Sequence, residues 1–270
     1  MRIPFRKIHG TGNDFILIDN RTGYFQGTEK ELFARLCHRH LGIGADGLML
    51  VEPGEPGRFS MKFFNPDGSP APMCGNGART AVYFVSLFQP QVSQFQFRVW
   101  EQTYRAELVA PRVVRIHWPQ LPRRLSFTGF RKPSGIRYRR MMWVHSGVPH
   151  LVLEMESSLH NLEVQKWGSF FRYHPAFAPE GTNVNFIQTD GSKIHIRTYE
   201  RGVEGETLSC GTGTLAAVFA ADCWGNPDFP VEVQAPGGRL KVGKNSDGQF
   251  YLEGPVQPVF QGIFDPADFK

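Results

Sequence analysis

The chain has 270 residues, of which 41% are hydrophobic, 20% are charged and 23 are phenylalanine. This composition excludes global disorder and suffices for one large or two ordinary packed domains. The net charge is +5, and the positive charge is concentrated in a basic stretch, residues 123–140. This stretch has prolines in and around it and few aromatic side chains that could stack on bases. The pattern therefore favours an exposed basic connection over nucleic-acid binding.

The first ten residues contain no apolar segment like that of a signal peptide, and no later apolar run approaches the roughly 20 residues that span a bilayer. We therefore expect a cytoplasmic protein with no membrane contact. Thr28 to Glu31 form a capping-box pattern, which predicts a helix running towards His40. Short apolar runs predict strands at residues 15–18, 48–51, 61–64, 151–153, 184–187 and 194–199. Two longer segments, 77–87 and 213–224, are apolar on all sides and predict buried helices.

The sequence repeats itself at an offset of about half its length. Cys74-Gly75-Asn76-Gly77 recurs as Cys210-Gly211-Thr212-Gly213, an offset of 136 residues (210 − 74). Three further pairs of segments lie within a residue or two of that offset: 12–19 with 147–154, 44–46 with 181–183, and 65–68 with 199–202. These co-linear similarities indicate an internal duplication. The sequence therefore predicts an α/β (or α+β) protein of two pseudo-symmetric halves, each with a central helix wrapped by strands.

Each repeated cysteine precedes a Gly-x-Gly that opens one of the predicted buried helices. A helix start presents unpaired N–H groups and a partial positive charge, which lower the pKa of a thiol placed there. The glycines leave these amides accessible, so a helix start can also bind a carboxylate. If two such starts face one carboxylate, one thiolate removes the α-proton and the opposite thiol protonates the other face. The pattern predicts a cofactor-independent epimerase with Cys74 and Cys210 as acid and base.

A reversible disulfide between these two cysteines is the competing function. It is disfavoured because a redox pair normally lies close in sequence and needs no duplicated carboxylate site. The remaining cysteines, Cys37 and Cys223, are expected to be ordinary apolar side chains. The chain contains no CxxC pair and no recognisable pyridoxal site, so we expect neither a metal nor a cofactor.

The motifs around the cysteines resemble those of diaminopimelate epimerases, and the resemblance covers nearly the whole chain. The MCGNGxR block at 73–79 and the CGTG block at 210–213, in this order, are highly specific. The resemblance implies a diaminopimelate epimerase-like fold with the active site in the cleft between the halves. It also implies interconversion of LL- and meso-diaminopimelate on the route to lysine and peptidoglycan. The other matching segments are 7–15, 42–47, 64–69, 147–150, 181–186, 199–202 and 237–240.

The resemblance further implies roles for individual residues. Cys74 and Cys210 are the catalytic groups, and Glu200 and His150 lie near the reacting centre. Arg201 can hold the distal carboxylate of a diamino-dicarboxylate with two hydrogen bonds, and Glu200 can face an ammonium group. The remaining substrate contacts are Asn13, Asn65 and Asn183 through side chains, and Gly75, Asn76, Gly211 and Thr212 through backbone amides.

Three features depart from the family pattern. Gly47 and Val148 stand where many relatives have glutamine and asparagine, and segment 202–207 is one residue longer than the common form. Because Gly47 and Val148 each remove a polar group expected near the substrate, the alternative function is a sister racemase that uses the same cysteine pair on another amino acid.

The two halves are predicted as residues 1–118, joined by a returning tail at 256–270, and residues 119–255. A third hypothesis, from a different class, is a non-catalytic or redox protein that binds acidic partners through the basic stretch. The oligomeric state is left open between a monomer and a homodimer.

Overall fold

The computed structural model describes residues 2–225 and 228–269. The chain divides into two compact units. The first unit contains the residues up to Pro119 together with those from Glu253 onwards, and the second contains Gln120–Leu252. The first unit is therefore formed by two segments that are separate in sequence, and the second by one continuous segment.

The first unit is built around seven consecutive strands and two helices. These are β1 (Ile3–Gly10), β2 (Asn13–Asp19), α1 (Lys30–Cys37), β3 (Gly47–Glu52), β4 (Arg58–Phe64), α2 (Gly75–Ser86), β5 (Gln94–Val99), β6 (Gln102–Ala110) and β7 (Val113–His117).

The second unit repeats this succession with two additional short strands, β8 (Arg123–Leu125) and β13 (Gly205–Thr207). Its elements in chain order are β8, β9 (Tyr138–His145), β10 (Pro149–Met155), α3 (Val164–Arg172), β11 (Asn183–Asp190), β12 (Lys193–Glu200), β13, α4 (Gly211–Cys223), β14 (Val231–Ala235) and β15 (Gly238–Lys244). Strands β16 (Phe250–Pro255) and β17 (Gln257–Phe264) then carry the chain back to the first unit.

Strand pairing follows one pattern in both units. In the first, β1–β2 is antiparallel, β2–β3 parallel, β3–β4 antiparallel, β4–β5 parallel and β5–β6 antiparallel. In the second, the corresponding pairs β9–β10, β10–β11, β11–β12, β12–β14 and β14–β15 alternate in the same way. This repetition of a mixed α/β arrangement confirms the predicted fold of two pseudo-symmetric halves.

Each unit has one central helix packed on its strands. Helix α2 packs against β1, β2, β3, β6 and β7, and helix α4 packs against β9, β10, β11, β12 and β15. Every residue of α2 except Tyr83 is buried. The helices approach the strands so closely that a Cβ at Gly77 would lie 2.2 Å from Met49 Cε, and one at Gly213 would lie 2.3 Å from Asn185 Oδ1. The two glycines therefore set the contact between helix and sheet.

A second core lies around the shorter helix of each unit. Phe33 on α1 packs with Phe25 and Phe64, and Phe171 on α3 packs with Phe130 and Phe186. The two clusters also contain aliphatic side chains, such as Leu36 and Leu48 in the first unit and Leu151 and Leu153 in the second.

The predicted capping box at α1 is wrong. The helix begins at Lys30 with no side-chain cap, because Glu29 turns back and its carboxylate accepts the N–H groups of Gln26 and Gly27 at 2.9 and 2.8 Å. The helix also ends at Cys37, before His40, because the His38 ring accepts the next free N–H groups. Local side-chain bonds therefore replaced the helix continuation that the sequence pattern suggested.

The basic stretch at 123–140 is only partly an exposed connection. Its two ends belong to strands β8 and β9, and Tyr138 is buried. The Arg140 Nε donates to Glu154 Oε2 at 2.7 Å, so this cation is paired inside the sheet. Between the strands, Phe127 and Phe130 pack on Phe177 with ring centroids 5.5 and 6.3 Å apart.

No helix within the described part of the chain is both long and apolar enough to cross a membrane.

Candidate active site

Cys74 and Cys210 occupy the same position in their units. Each is the N-cap of the central helix with an extended backbone, at φ −112° and −121°, and each is a partly buried cysteine that forms no disulfide. The helices then begin at Gly75 and Gly211, so no side chain covers the first amide of either helix. The thiols differ in their bonds: Cys210 Sγ accepts the Gly213 N–H at 3.4 Å, whereas Cys74 makes no side-chain cap hydrogen bond.

In the first unit, Cys74 is hydrogen-bonded to Asn13, and Asn76 holds Asn13 in place. The Cys74 Sγ lies 3.6 Å from Asn13 Oδ1, and Asn76 Nδ2 donates to the same oxygen at 3.3 Å. On its other side, Asn13 Nδ2 donates to Asp46 Oδ2 at 2.8 Å. Asn76 is almost completely buried, so its side chain supports Asn13 while its backbone lies in the first turn of α2.

Arg79 lies on α2, one turn after Asn76, and is completely buried. Its terminal nitrogen donates to Asn76 Oδ1 at 3.0 Å and to Thr11 Oγ1 at 3.1 Å, while its Nε has no hydrogen-bond partner. Among the described residues no carboxylate forms an ion pair with it. Burial lowers the pKa of the Arg79 guanidinium to about 10, although attraction to a Cys74 thiolate raises it. The first unit thus buries a cation close to its cysteine.

A second charged group surrounds Asp14 at the start of β2. Lys7 Nζ and Arg39 each lie 2.9 Å from the Asp14 carboxylate, and Arg39 also pairs with Asp46 at 2.5 Å. Burial opposes ionisation of Asp14, but the bonds from Arg39 and Lys7 outweigh it and hold its pKa at about 2. Asp46 is thereby fixed as the acceptor for Asn13.

In the second unit, Cys210 is supported by a neutral network. Its Sγ lies 3.4 Å from Thr212 Oγ1, which lies 2.9 Å from His150 Nε2. The other ring nitrogen, His150 Nδ1, lies 3.0 Å from Asn185 Nδ2, and Asn185 Oδ1 accepts the Thr198 hydroxyl at 3.1 Å. Each polar atom of this network is bonded to the next.

His150 is completely buried, and both its ring nitrogens are engaged within the unit. Burial, followed by repulsion from Arg201 and His145, lowers its pKa to about 3, so the ring is neutral near pH 7. The structure therefore places the predicted site residue His150 behind Thr212.

The remaining second-unit candidates lie at the ends of β11 and β12. Asn183 pairs with His150 in the parallel strands, donates to the Pro149 carbonyl at 2.9 Å and accepts the Arg201 N–H at 2.9 Å. Arg201 also contacts the Glu180 carboxylate at 3.4 Å. Glu200 accepts the Thr207 hydroxyl at 2.5 Å. Asn183 thus joins the backbone beside Arg201 to the strand that carries His150.

Asn65 stands at the end of β4, the position that Glu200 occupies at the end of β12. Its side chain donates to Ser69 Oγ at 3.1 Å, and its carbonyl accepts the Gly68 N–H at 2.9 Å. Its described contacts therefore fix the turn that follows β4.

Two buried residues were not singled out by sequence reasoning. Arg79 stands within the quoted MCGNGxR block, and a charged residue in a helix that is otherwise apolar was the available signal. Asn185 lies between Val184 and Phe186 in a predicted strand, and one polar residue in an apolar run was its signal.

The arrangement gives each unit the same chemical capability. A thiol stands at the start of a buried helix, next to first-turn N–H groups that favour an anion. A carboxylate held there would place its α-carbon near a thiol that can take or give a proton. Within the described residues, no group of three or more His, Cys, Asp or Glu side chains is arranged to hold a metal ion.

Comparison with known proteins gives one family. The family model for diaminopimelate epimerase matches residues 5–102 and again 142–259. A diaminopimelate epimerase of Chlorobaculum tepidum is 40% identical over 259 residues, covering 94% of this chain and 98% of its own. One of Archaeoglobus fulgidus is 38% identical over 277 residues, covering 97% and 96%.

Solved structures share the fold at much lower identity. A phenazine biosynthesis protein of the PhzF family from Bacillus anthracis superposes with a TM-score of 0.74 at 13% identity, covering 98% of this chain and 99% of its own. A probable proline racemase from Agrobacterium radiobacter superposes with a TM-score of 0.66 at 15% identity, covering 99% and 95%. At these identities the similarity concerns the fold alone.

Proposed function

This chain belongs to the diaminopimelate epimerase family and is an isomerase, and we propose that Cys74 and Cys210 are the acid and base of its reaction. The substrate would be LL-diaminopimelate and the product meso-diaminopimelate. In the cell, this step would serve the synthesis of lysine and of peptidoglycan precursors. Membership of an isomerase family removes the non-catalytic hypothesis.

The proposed reaction needs one proton transfer on each face of the α-carbon. One cysteine thiolate takes the α-proton, and the electron pair of the broken C–H bond is delocalised into the adjacent carboxylate. The other cysteine, as a thiol, then gives its proton to the opposite face of the carbon. The product has the inverted configuration, and the two cysteines have exchanged protonation states. No oxidant, reductant or external acid is consumed.

The charge that develops on the carboxylate is the main electrostatic demand of this reaction. The N–H groups at the starts of α2 and α4, led by Gly75, Asn76, Gly211 and Thr212, would stabilise it. Asn13, Asn65, Asn183 and His150 would hold or support the reacting end. Arg201 would bind the distal carboxylate and Glu200 an ammonium group.

The observation that carries the proposal is the repeated placement of a cysteine at a buried helix start. Each thiol is an N-cap, each is followed by Gly-x-Gly, and each is partly accessible. A cysteine needed only for packing would have no reason to recur at the start of the central helix in both units.

The proposal is tested by exchange of the α-hydrogen. The reduced protein is incubated in deuterium oxide with LL-diaminopimelate and, separately, with a panel of single amino acids. Deuteration and epimerisation of diaminopimelate alone are expected. Exchange on another amino acid alone would establish the alternative function, and no exchange on any substrate would refute both.

One observation favours keeping the alternative, a sister racemase. Gly47 cannot carry a side chain without movement, because a Cβ there would lie 2.7 Å from the Phe64 carbonyl oxygen and 2.6 Å from the Phe63 ring. The polar group that many relatives have at this position is therefore replaced by packed aromatic surface. Val148 likewise offers no polar side chain.

The remaining expectations accompany this proposal. The catalytic halves would be residues 1–118 with 256–270, and residues 119–255, and the reaction would need both to present their helix starts to one substrate. The cytoplasmic location and the choice between monomer and homodimer stay predictions.

A further inference from the structure

The hydrogen bonds around the two cysteines have opposite directions. We infer that Cys210 rests as the thiolate and Cys74 as the thiol, and that Asn185, His150 and Thr212 are the positioning residues that set this state. The inference rests on the proposed function, since it assigns resting states to the same two groups. Its support is the donor or acceptor character of each atom along two chains of bonds.

In the second unit the chain of bonds begins at a fixed acceptor. Asn185 Nδ2 lies 3.4 Å from the carbonyl oxygen of Leu151, which can only accept, so the amide nitrogen of Asn185 is the atom on that side. The same nitrogen therefore donates to His150 Nδ1 at 3.0 Å. Because the buried ring is neutral, its single proton stands on Nε2.

From His150 the bonds lead to the sulfur. Nε2–H donates to Thr212 Oγ1 at 2.9 Å, and the Thr212 hydroxyl is then free to donate to Cys210 Sγ at 3.4 Å. The Gly213 N–H donates to the same sulfur at 3.4 Å. Two donors directed at one sulfur favour its anionic form.

In the first unit the chain of bonds ends in an acceptor. Asn13 Nδ2 faces the Asp46 carboxylate, which can only accept, so Asn13 Oδ1 is the atom beside Cys74. An independent chain gives the same orientation: Arg79 can only donate, so it fixes Asn76 Oδ1 towards itself and Asn76 Nδ2 towards Asn13 Oδ1. A sulfur facing a carbonyl oxygen at 3.6 Å is held as an S–H donor.

Arg79 acts in the opposite sense through space, because a buried guanidinium favours a nearby thiolate. Its hydrogen bonds, however, go to Asn76 and Thr11, and the group that Asn76 and Asn13 finally present to the sulfur is an oxygen. The contact with Asn13 Oδ1 therefore favours the thiol form of Cys74, whereas the Arg79 charge favours its thiolate form. The contact predicts that Cys210 is the more reactive cysteine, and the charge predicts that Cys74 is.

The register of the strands shows why the chain of bonds in the second unit has no counterpart in the first unit. Phe15 pairs with Gly47 as His150 pairs with Asn183, so Phe15 takes the place of His150. Met49 lies under Gly77 as Asn185 lies under Gly213. Two apolar residues thus stand where the second unit carries its imidazole and amide.

The test is alkylation of the intact, reduced protein by iodoacetamide near pH 7, without substrate, followed by peptide mass mapping. A thiol whose pKa lies one unit lower is about tenfold more ionised below both values, and the thiolate is the reacting form. Cys210 is expected to react about tenfold or more faster than Cys74. Faster reaction of Cys74 would overturn the inference and make the Arg79 charge decisive. Cys223 is the internal reference, because it is exposed and its raised pKa should keep it slow.

A pair of variants tests the bond chain itself. Thr212→Val removes the hydroxyl and should slow alkylation of Cys210 while leaving Cys74 unchanged; Thr212→Ser keeps the hydroxyl and should react like the unaltered protein. An unchanged Cys210 rate in Thr212→Val would exclude the role of Thr212. Because no substrate is used, failure here is distinct from failure of the proposed function, which α-hydrogen exchange measures.

Discussion

The two helix starts have the same backbone and different support. The first unit surrounds Cys74 with charge: a buried Arg79, and an ion cluster in which Asp14 and Asp46 share Arg39. The second unit surrounds Cys210 with neutral groups, among which His150 is buried without charge. The duplicated framework therefore specifies where the thiol and the helix amides stand, and the side chains behind them make the two thiols inequivalent.

This difference has a chemical use. An epimerase whose cysteines exchange a proton in each turnover needs one acid and one base at the start. Two identical half-sites would give both thiols the same tendency to ionise. Unequal support provides the two states without help from substrate.

The largest effect should come from removing either thiol. Cys74→Ala and Cys210→Ala should each lower kcat for epimerisation by at least about a hundredfold, because acid–base catalysis by one group contributes about 10²–10⁴-fold. Chiral chromatography of diaminopimelate measures the loss. Cys223→Ala, at the other end of α4, is the control and should retain activity. Full activity in either of the first two variants would refute the two-base mechanism.

Arg79→Met should have the next largest effect. It removes the cation that orients Asn76 and, through it, Asn13, so kcat should fall by about tenfold to a hundredfold, as expected for loss of about 1.5–3 kcal/mol from bonds to a charged group. The control is Leu215→Met, because Leu215 stands at the corresponding position of α4. Equal activities of the two variants would mean that the first unit does not use its charge. Circular dichroism should show both folded.

Gly47→Ala tests a packing difference between the units. A Cβ there meets the Phe64 backbone, whereas the corresponding Asn183 has room for a side chain that bonds to Pro149. The free energy of unfolding should fall by about 1–3 kcal/mol, as for other overpacked sites. Urea unfolding measures it. Gly205→Ala is the control, since its Cβ would lie 3.7 Å from the nearest side chain and should cost less than about 0.5 kcal/mol. A smaller loss in Gly47→Ala than in Gly205→Ala would contradict the packing explanation.

The neutral state of His150 should appear as a pH dependence of stability. The pKa of His150 in the folded protein is about 3, below the ordinary value of 6.5. Between these two pH values the unfolded chain therefore binds a proton at His150 that the folded chain does not bind. The contribution of His150 to the free energy of unfolding is therefore complete above pH 6.5. It is lost as the pH falls towards 3, by at most about 1.4 kcal/mol per pH unit. Urea midpoints between pH 4.5 and 7 should fall less steeply in His150→Gln, while His195→Gln, an exposed control, should keep the original slope. Parallel slopes for His150→Gln and the unaltered protein would show that His150 does take up a proton when folded.

The sequence predicted the elements that depend on local pattern. The six apolar runs all lie within strands, and both central helices begin within two residues of the expected place, because an element buried on all sides has a continuous apolar sequence. The capping box at Thr28 failed because Glu29 offered a competing local bond. Short-range rules cannot rank two such competitors.

The support of the cysteines was beyond the same methods. Arg79 meets Thr11, 68 residues away, and Asn185 meets His150, 35 residues away. An apolar pattern predicts whether a residue is buried, and a motif shows which residues are its neighbours in sequence. Neither predicts which distant residue it contacts across a sheet. The cysteine pair was found because it repeats, whereas its polar support does not repeat and gave no such signal.

The returning C-terminal segment has a consequence for how the protein is made. Strand β17 pairs along β1 from Ile3 opposite Phe264, and Phe264 stacks near Phe25 in the first core. Strand β1 can pair with β2 as soon as both have been synthesised, but most of the chain must follow before β17, its neighbour on the other side, exists. The second unit is continuous and can be completed earlier, so the order of completion is the reverse of the order of synthesis. Until the last residues emerge, the nascent first unit exposes an open strand edge, which is the kind of surface that chaperones protect.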